Sequence, residues 1–243
     1  RSGRVTGVQT CALPIYGNSG TIAASNNYVV DTLAPVITIN GEVSNNYRPT
    51  LAKANDVITV SFTSTDPVTS VTIGGHVVSA TPVVGVLNTY TASYTVTTND
   101  NATSTDVAIT SQDAAGNSTT QNFSGLVTID TVAPTASITL SDTALQIGDT
   151  ATVTITFSEA VTGFTLADLT APNGVLSNLS AASINPVTGV VTYTATFTPT
   201  ANIEDTTNVV SLSTEYTDLN GNSGTIAASN NYVVDTLAPV ITI

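Results

Sequence analysis

The sequence predicts an all-β protein made of sandwich modules in an elongated tandem array. Three observations carry that prediction. Residues 17–39 recur without change as residues 221–243, at an offset of 204. Between the copies runs strand after strand of period-two alternation, and no stretch has a helical period long enough to stand. The turn formers Gly, Pro, Asn and Asp interrupt those strands every 8 to 14 residues.

The repeat sets the domain limits. Ile129-Asp130-Thr131-Val132-Ala133-Pro134 is a weaker third copy of Val30–Pro35 and Val234–Pro239, with Asp-to-Asp spacings of 99 and 105 residues. Periodicity on that scale means whole domains in tandem. The chain divides into the last strand of a preceding module (16–31), module A (32–130), module B (131–235) and the first strand of a following module (236–243). Residues 1–15 stand apart. They hold two of the four basic residues and the only cysteine, and Val5–Ile15 resembles an in-frame translation of a sequencing adapter. Setting aside Arg1 and Arg4 takes the formal net charge from −13 to −15. Cys11 then has no role in the fold.

In module A the predicted strands are 35–39, 57–64, 69–74, 77–84, 89–97, 105–112 and 121–130. Ile58, Val60 and Phe62 alternate there with Thr and Ser, as do Tyr90, Ala92, Tyr94 and Val96. In module B they are 135–140, 150–158, 162–168, 174–180, 189–198, 207–216 and 224–234, with Val153, Ile155 and Phe157 on the inward register. Threonine on the outer face suits a pleated surface without adding charge. About seven short strands in roughly 100 residues is the pattern of an immunoglobulin-like sandwich. No cysteine pair is present, so apolar burial alone must hold each core.

Module B carries Phe157-Ser158-Glu159-Ala160-Val161, Tyr193–Pro199 and Tyr216-Thr217-Asp218 leading to Gly221-Asn222. With these it resembles the bacterial Ig-like repeats of giant surface adhesins and biofilm-associated proteins. Module A, with Asp113-Ala114-Ala115-Gly116-Asn117, resembles a sister type. The resemblance implies an extracellular or cell-surface stalk for attachment or biofilm cohesion. Its partners would be neighbouring Ig-like modules of the same chain, with any host or matrix ligand held elsewhere.

Composition excludes several functions. Four basic residues against seventeen acidic ones leave nothing to neutralise a nucleic-acid backbone. One cysteine builds neither a disulfide framework nor a cysteine-rich zinc site. No apolar run is long enough for a membrane span. An enzyme is not expected: His76 is the only imidazole and falls in a turn after Gly74-Gly75, and Gly-x-Ser-x-Gly is missing. Two rivals remain. One is a carbohydrate- or protein-binding module, for which Tyr47 beside Arg48 is the loop pair to test. The other is an accessory array of a secreted hydrolase.

The acidic residues suggest a metal. In an Ig-like sandwich the BC and FG loops share one pole with the incoming linker. For module A those segments carry Asp66, Asp113 and Asp31. For module B they carry Glu159, Asp218 and Asp130. Three carboxylates at one pole repel unless a cation lies between them, and Ca²⁺ suits hard oxygen ligands in loose geometry. Asp56, Asp100, Asp149, Glu204 and Asp205 at the opposite poles are candidate extra ligands. The alternative is ordinary turn chemistry, since Asp-x-x-Gly-Asn is a common hairpin turn and acidic loops solvate well. Occurrence of the trio in both modules, with few counter-cations, favours Ca²⁺.

Overall fold

The computed structural model describes residues 3–4, 29–101 and 104–241. The reading of residues 5–28 therefore lies outside the described residues. Among the described residues nearly all regular structure is β, with one 3₁₀ turn at Leu166–Asp168. Two compact units form. Unit 1 comprises 1–43, 58–94 and 104–127; unit 2 comprises 44–57, 95–103 and 128–243.

The sandwich of unit 1 is built on two four-stranded sheets. In one, the order is Ile37–Ser44, Val57–Ser64, Thr89–Thr95, Ala80–Pro82; in the other, Ser118–Phe123, Val107–Gln112, Val68–Ile73, His76–Val78. The alternation does what the sequence asks. Ile58, Val60 and Phe62 are fully buried from one sheet, and Val71, Ile73 and Ile109 from the other. Burial of each such side chain contributes about 1.5–3 kcal/mol. Gly74 and Gly75 turn the chain at positive φ, 57° and 84°, so His76 opens a strand rather than sitting in a turn. Its ring stacks on Tyr94 at 4.3 Å.

Unit 2 contains a sheet ordered Ala136–Leu140, Ala151–Phe157, Val191–Pro199, Gly174–Ser177. Shorter strands at Leu169–Thr170, Ser211–Leu212, Ala227–Ala228, Glu204–Asn208 and Tyr232–Asp235 supply the facing layer. One core joins them: Val153, Ile155, Phe157 and Phe197 meet Leu212, Tyr216, Tyr232 and Val234. Phe157 packs against Phe164 and Tyr216, each at 5.0 Å between ring centres. The strand predicted at 162–168 is a two-residue strand, Val161–Thr162, followed by the 3₁₀ turn. A capping box explains the break. The Thr165 side chain accepts from Ala167 N–H, and the Asp168 carboxylate accepts from Thr165 N–H at 2.6 Å. These local bonds compete with the sheet ladder. Residues 236–241 carry no regular structure.

Candidate acidic site of unit 2

The site begins with a buried tyrosine. Tyr216 is fully buried and donates its hydroxyl to Thr225 O at 2.8 Å, which closes the loop between them. A Cβ on Gly224 would lie 2.1 Å from the Tyr216 ring, so only glycine permits this packing. Two residues on, Asp218 is 1% exposed. Its Oδ1 accepts from Asn222 N–H at 2.9 Å and its Oδ2 from Asn222 Nδ2 at 2.7 Å. Gly221 takes φ 88°, as the turn needs.

Asn222 also fixes the linker, donating from Nδ2 to Asp130 O at 2.8 Å. The Asp130 carboxylate caps its own turn by accepting from Val132 N–H. Glu159 arrives from the end of Ala151–Phe157. There Ser158 exchanges two bonds with Thr135, which tie linker and loop together. The outcome is a trio in which one carboxylate oxygen each of Asp130, Glu159 and Asp218 lie within 4.8 Å of one another. Burial raises the Glu159 carboxyl, with further contributions from the charges of Asp130 and Asp218, and it is pushed up to about 7. Those two effects disfavour the ionised form and are reversed by a cation.

Unit 1 repeats the scaffold without gathering the charges. Asn117 Nδ2 donates to Asp31 O at 3.0 Å and to Asp113 Oδ2 at 2.8 Å, the same clamp as in unit 2. Hydrogen bonds from Asn117 chiefly hold Asp113 below the usual carboxylate range. Thr65 and Val36 exchange the bonds that Ser158 and Thr135 exchange, which makes Asp66 the counterpart of Glu159. Asp66 is one methylene shorter and accepts from the Thr65 hydroxyl at 2.7 Å. Among the described residues, Asp31, Asp66 and Asp113 do not form a second such trio.

The other acids close local structure. Asp56 Oδ2 accepts from Lys53 N–H, Asp100 Oδ2 from Thr97 N–H, and Asp149 Oδ2 from Gln146 N–H. Asp205 Oδ2 takes Asn173 Nδ2, and Glu204 lies opposite Asp235 in a strand pair. Tyr47 is 95% exposed. The Asp-x-x-Gly-Asn pattern reads in sequence as turn chemistry alone; the structure adds that Asn117 and Asn222 clamp each loop to its linker carbonyl.

Residues 130–234 match the family model described as a bacterial Ig-like domain. That stretch has an Ig-like fold. Solved structures similar to this chain include one of a bacterial ice-binding adhesin, described for that adhesin's retention at the host cell surface. It is 21% identical over 84% of this chain and 65% of that chain, with a TM-score of 0.40. The mouse nectin-like molecule 4 ectodomain is 14% identical over 86% and 66%, with a TM-score of 0.30. An ICAM-5 ectodomain fragment is 12% identical over 83% and 54%, with a TM-score of 0.35. The chain thus spans two-thirds or less of the length of these structures. No curated protein sequence matches it. No helix among the described residues is long and apolar enough to cross a membrane.

Proposed function

We propose that this chain is a stalk or spacer segment of a bacterial cell-surface or secreted adhesin, serving attachment or biofilm cohesion, and that Ca²⁺ stiffens it where linker and loops meet. The observation that carries the metal reading is the convergence of Asp130, Glu159 and Asp218. Three carboxylates from a linker and two loops make a donor set of hard oxygens, which fits Ca²⁺ and its tolerance of irregular geometry. Bound there, the ion supplies positive charge that offsets the mutual repulsion of the trio. Asn222 already orients two members by holding Asp218 and the Asp130 carbonyl. The chain's acidity agrees with an extracellular setting rich in divalent cations, and Ig-like modules in tandem suit a spacer.

Thermal unfolding of the full chain in EDTA and in millimolar Ca²⁺ tests this reading. Binding to the native state alone raises stability by about 2.7 kcal/mol at a hundredfold excess over Kd. The melting temperature of unit 2 rises by several degrees, and Asp130→Ala abolishes the rise. An unchanged melting temperature in Ca²⁺ would leave an acidic spacer without an ion.

A further inference from the structure

The strand Ile37–Ser44 breaks its own period. Ile37 is buried and Ile39 half-buried, so a continued alternation would bury Val43 and expose Glu42. The reverse occurs after Asn40-Gly41: Glu42 is 4% exposed and Val43 is 51% exposed. Burying a carboxyl in place of a valine costs free energy, and such breaks of a local rule mark functional or strained sites.

Glu42 holds the last residues of unit 1. Segment 124–127 follows the strand Ser118–Phe123 and has no regular structure. Its Leu126 N–H donates to Glu42 Oε2 at 2.7 Å. Beside it, Val127 O accepts from both the N–H and the hydroxyl of Thr105, and Ser104 Oγ donates to Gly125 O at 3.2 Å. The two segments run so close that a Cβ on Gly125 would fall 1.6 Å from Thr105 O.

We infer that Glu42 is a proton-dependent clamp: its neutral carboxyl holds segment 124–127 onto the strand Ile37–Ser44 and segment 104–106, and its ionisation releases that segment. The basis is the second carboxyl oxygen. Oε1 is buried and has no hydrogen-bond partner. Thr105 stands beside the carboxyl, but its hydroxyl hydrogen goes to Val127 O. A carboxylate would leave that oxygen dry and unpaired as a charged group, which a proton on the carboxyl avoids. The groups facing Glu42 give a charge no help. Segments 104–106 and 124–127 and the neighbouring strand Val57–Ser64 contain one titratable residue, Asp106. Burial chiefly raises the Glu42 carboxyl, the Leu126 bond opposes it, and the Asp106 charge raises it further. Opening the segment hydrates the carboxyl and relieves its burial. The closed segment therefore keeps its full stability below the ordinary value of 4.5 and loses it as pH rises toward the raised one. This inference does not rest on calcium.

Amide hydrogen exchange of the full chain in EDTA between pH 5 and 8 tests it, with protection corrected for base catalysis. In wild type the amides of Leu126 and Thr105 lose protection as pH rises, by up to about tenfold per pH unit, the limit for one linked proton. In E42Q the group stays uncharged, so protection remains level and exceeds that of wild type at pH 8. Carbon-13 NMR of the Glu42 carboxyl needs no variant at that position: it titrates above 4.5 in wild type, and lower in Asp106→Asn than in wild type. A Glu42 carboxyl that titrates at or below 4.5 would overturn the inference, as would an E42Q chain that loses protection with pH as wild type does.

Discussion

Replacing Glu159 with glutamine separates the two roles of the acidic trio. Two unit charges 4.8 Å apart repel by about 0.9 kcal/mol in water and about 3.5 kcal/mol at an effective dielectric of 20. Glu159 faces two such charges and titrates at about 7 instead of 4.5. A shift of that size has an upper limit of about 3.4 kcal/mol. The group is half-exposed, and solvent screening reduces this to about 1–2 kcal/mol. The sign follows from the raised folded pKa. Stability is fully present below pH 4.5 and is lost as pH rises through about 7. In EDTA at pH 8, E159Q therefore melts above wild type by roughly 3–10 °C. At pH 4 the two melt together. In millimolar Ca²⁺ at pH 8 the order reverses, because the variant has lost a ligand. Differential scanning calorimetry in the three conditions reads all of this. If E159Q gains nothing in EDTA at pH 8, the carboxylates do not repel as the geometry requires.

Three further outcomes follow from the same reasoning. Glu42 is 4% exposed, its Oε1 has no hydrogen-bond partner, and burial chiefly raises its carboxyl; E42Q stabilises unit 1 at pH 8 and leaves it unchanged at pH 4, as pH-dependent unfolding will report. Asn222→Ala frees Asp218 and the Asp130 carbonyl and costs about 1–3 kcal/mol for the orphaned groups, which chemical denaturation measures without Ca²⁺. Gly174→Ala places a Cβ 2.2 Å from the Phe197 ring and 2.7 Å from Thr198 O; overpacking there costs about 1–3 kcal/mol in the same assay.

The strands were legible because their period is two and their inward residues are apolar. Ile58, Val60 and Phe62, and Val153, Ile155 and Phe157, are buried as the alternation requires. The strand predicted at 35–39 runs in the structure as Ile37–Ser44, the chain continuing extended through Asn40-Gly41 to carry Glu42 inward. The 3₁₀ turn has no apolar signature of its own: Phe164, Leu166 and Ala167 fit a strand over 162–168, and the capping pair Thr165 and Asp168 lies among them. The trio of unit 2 was legible from loop order alone. Asp31, Asp66 and Asp113 share that loop order without forming such a trio among the described residues, and Asp66 is one methylene shorter than Glu159 at the equivalent position. Nothing in the one-dimensional pattern told that Asn220 would find the carbonyls of Ala52 and Thr128. Contacts 168 and 92 residues apart leave no local signature.

Calorimetric titration of the full chain with Ca²⁺ at pH 8 addresses the central claim most directly. The account predicts a saturable site that E159Q removes and that Asp66→Asn leaves untouched, since Asp66 is not part of a gathered trio. Absence of saturable binding, or a site lost in Asp66→Asn and kept in E159Q, would contradict it.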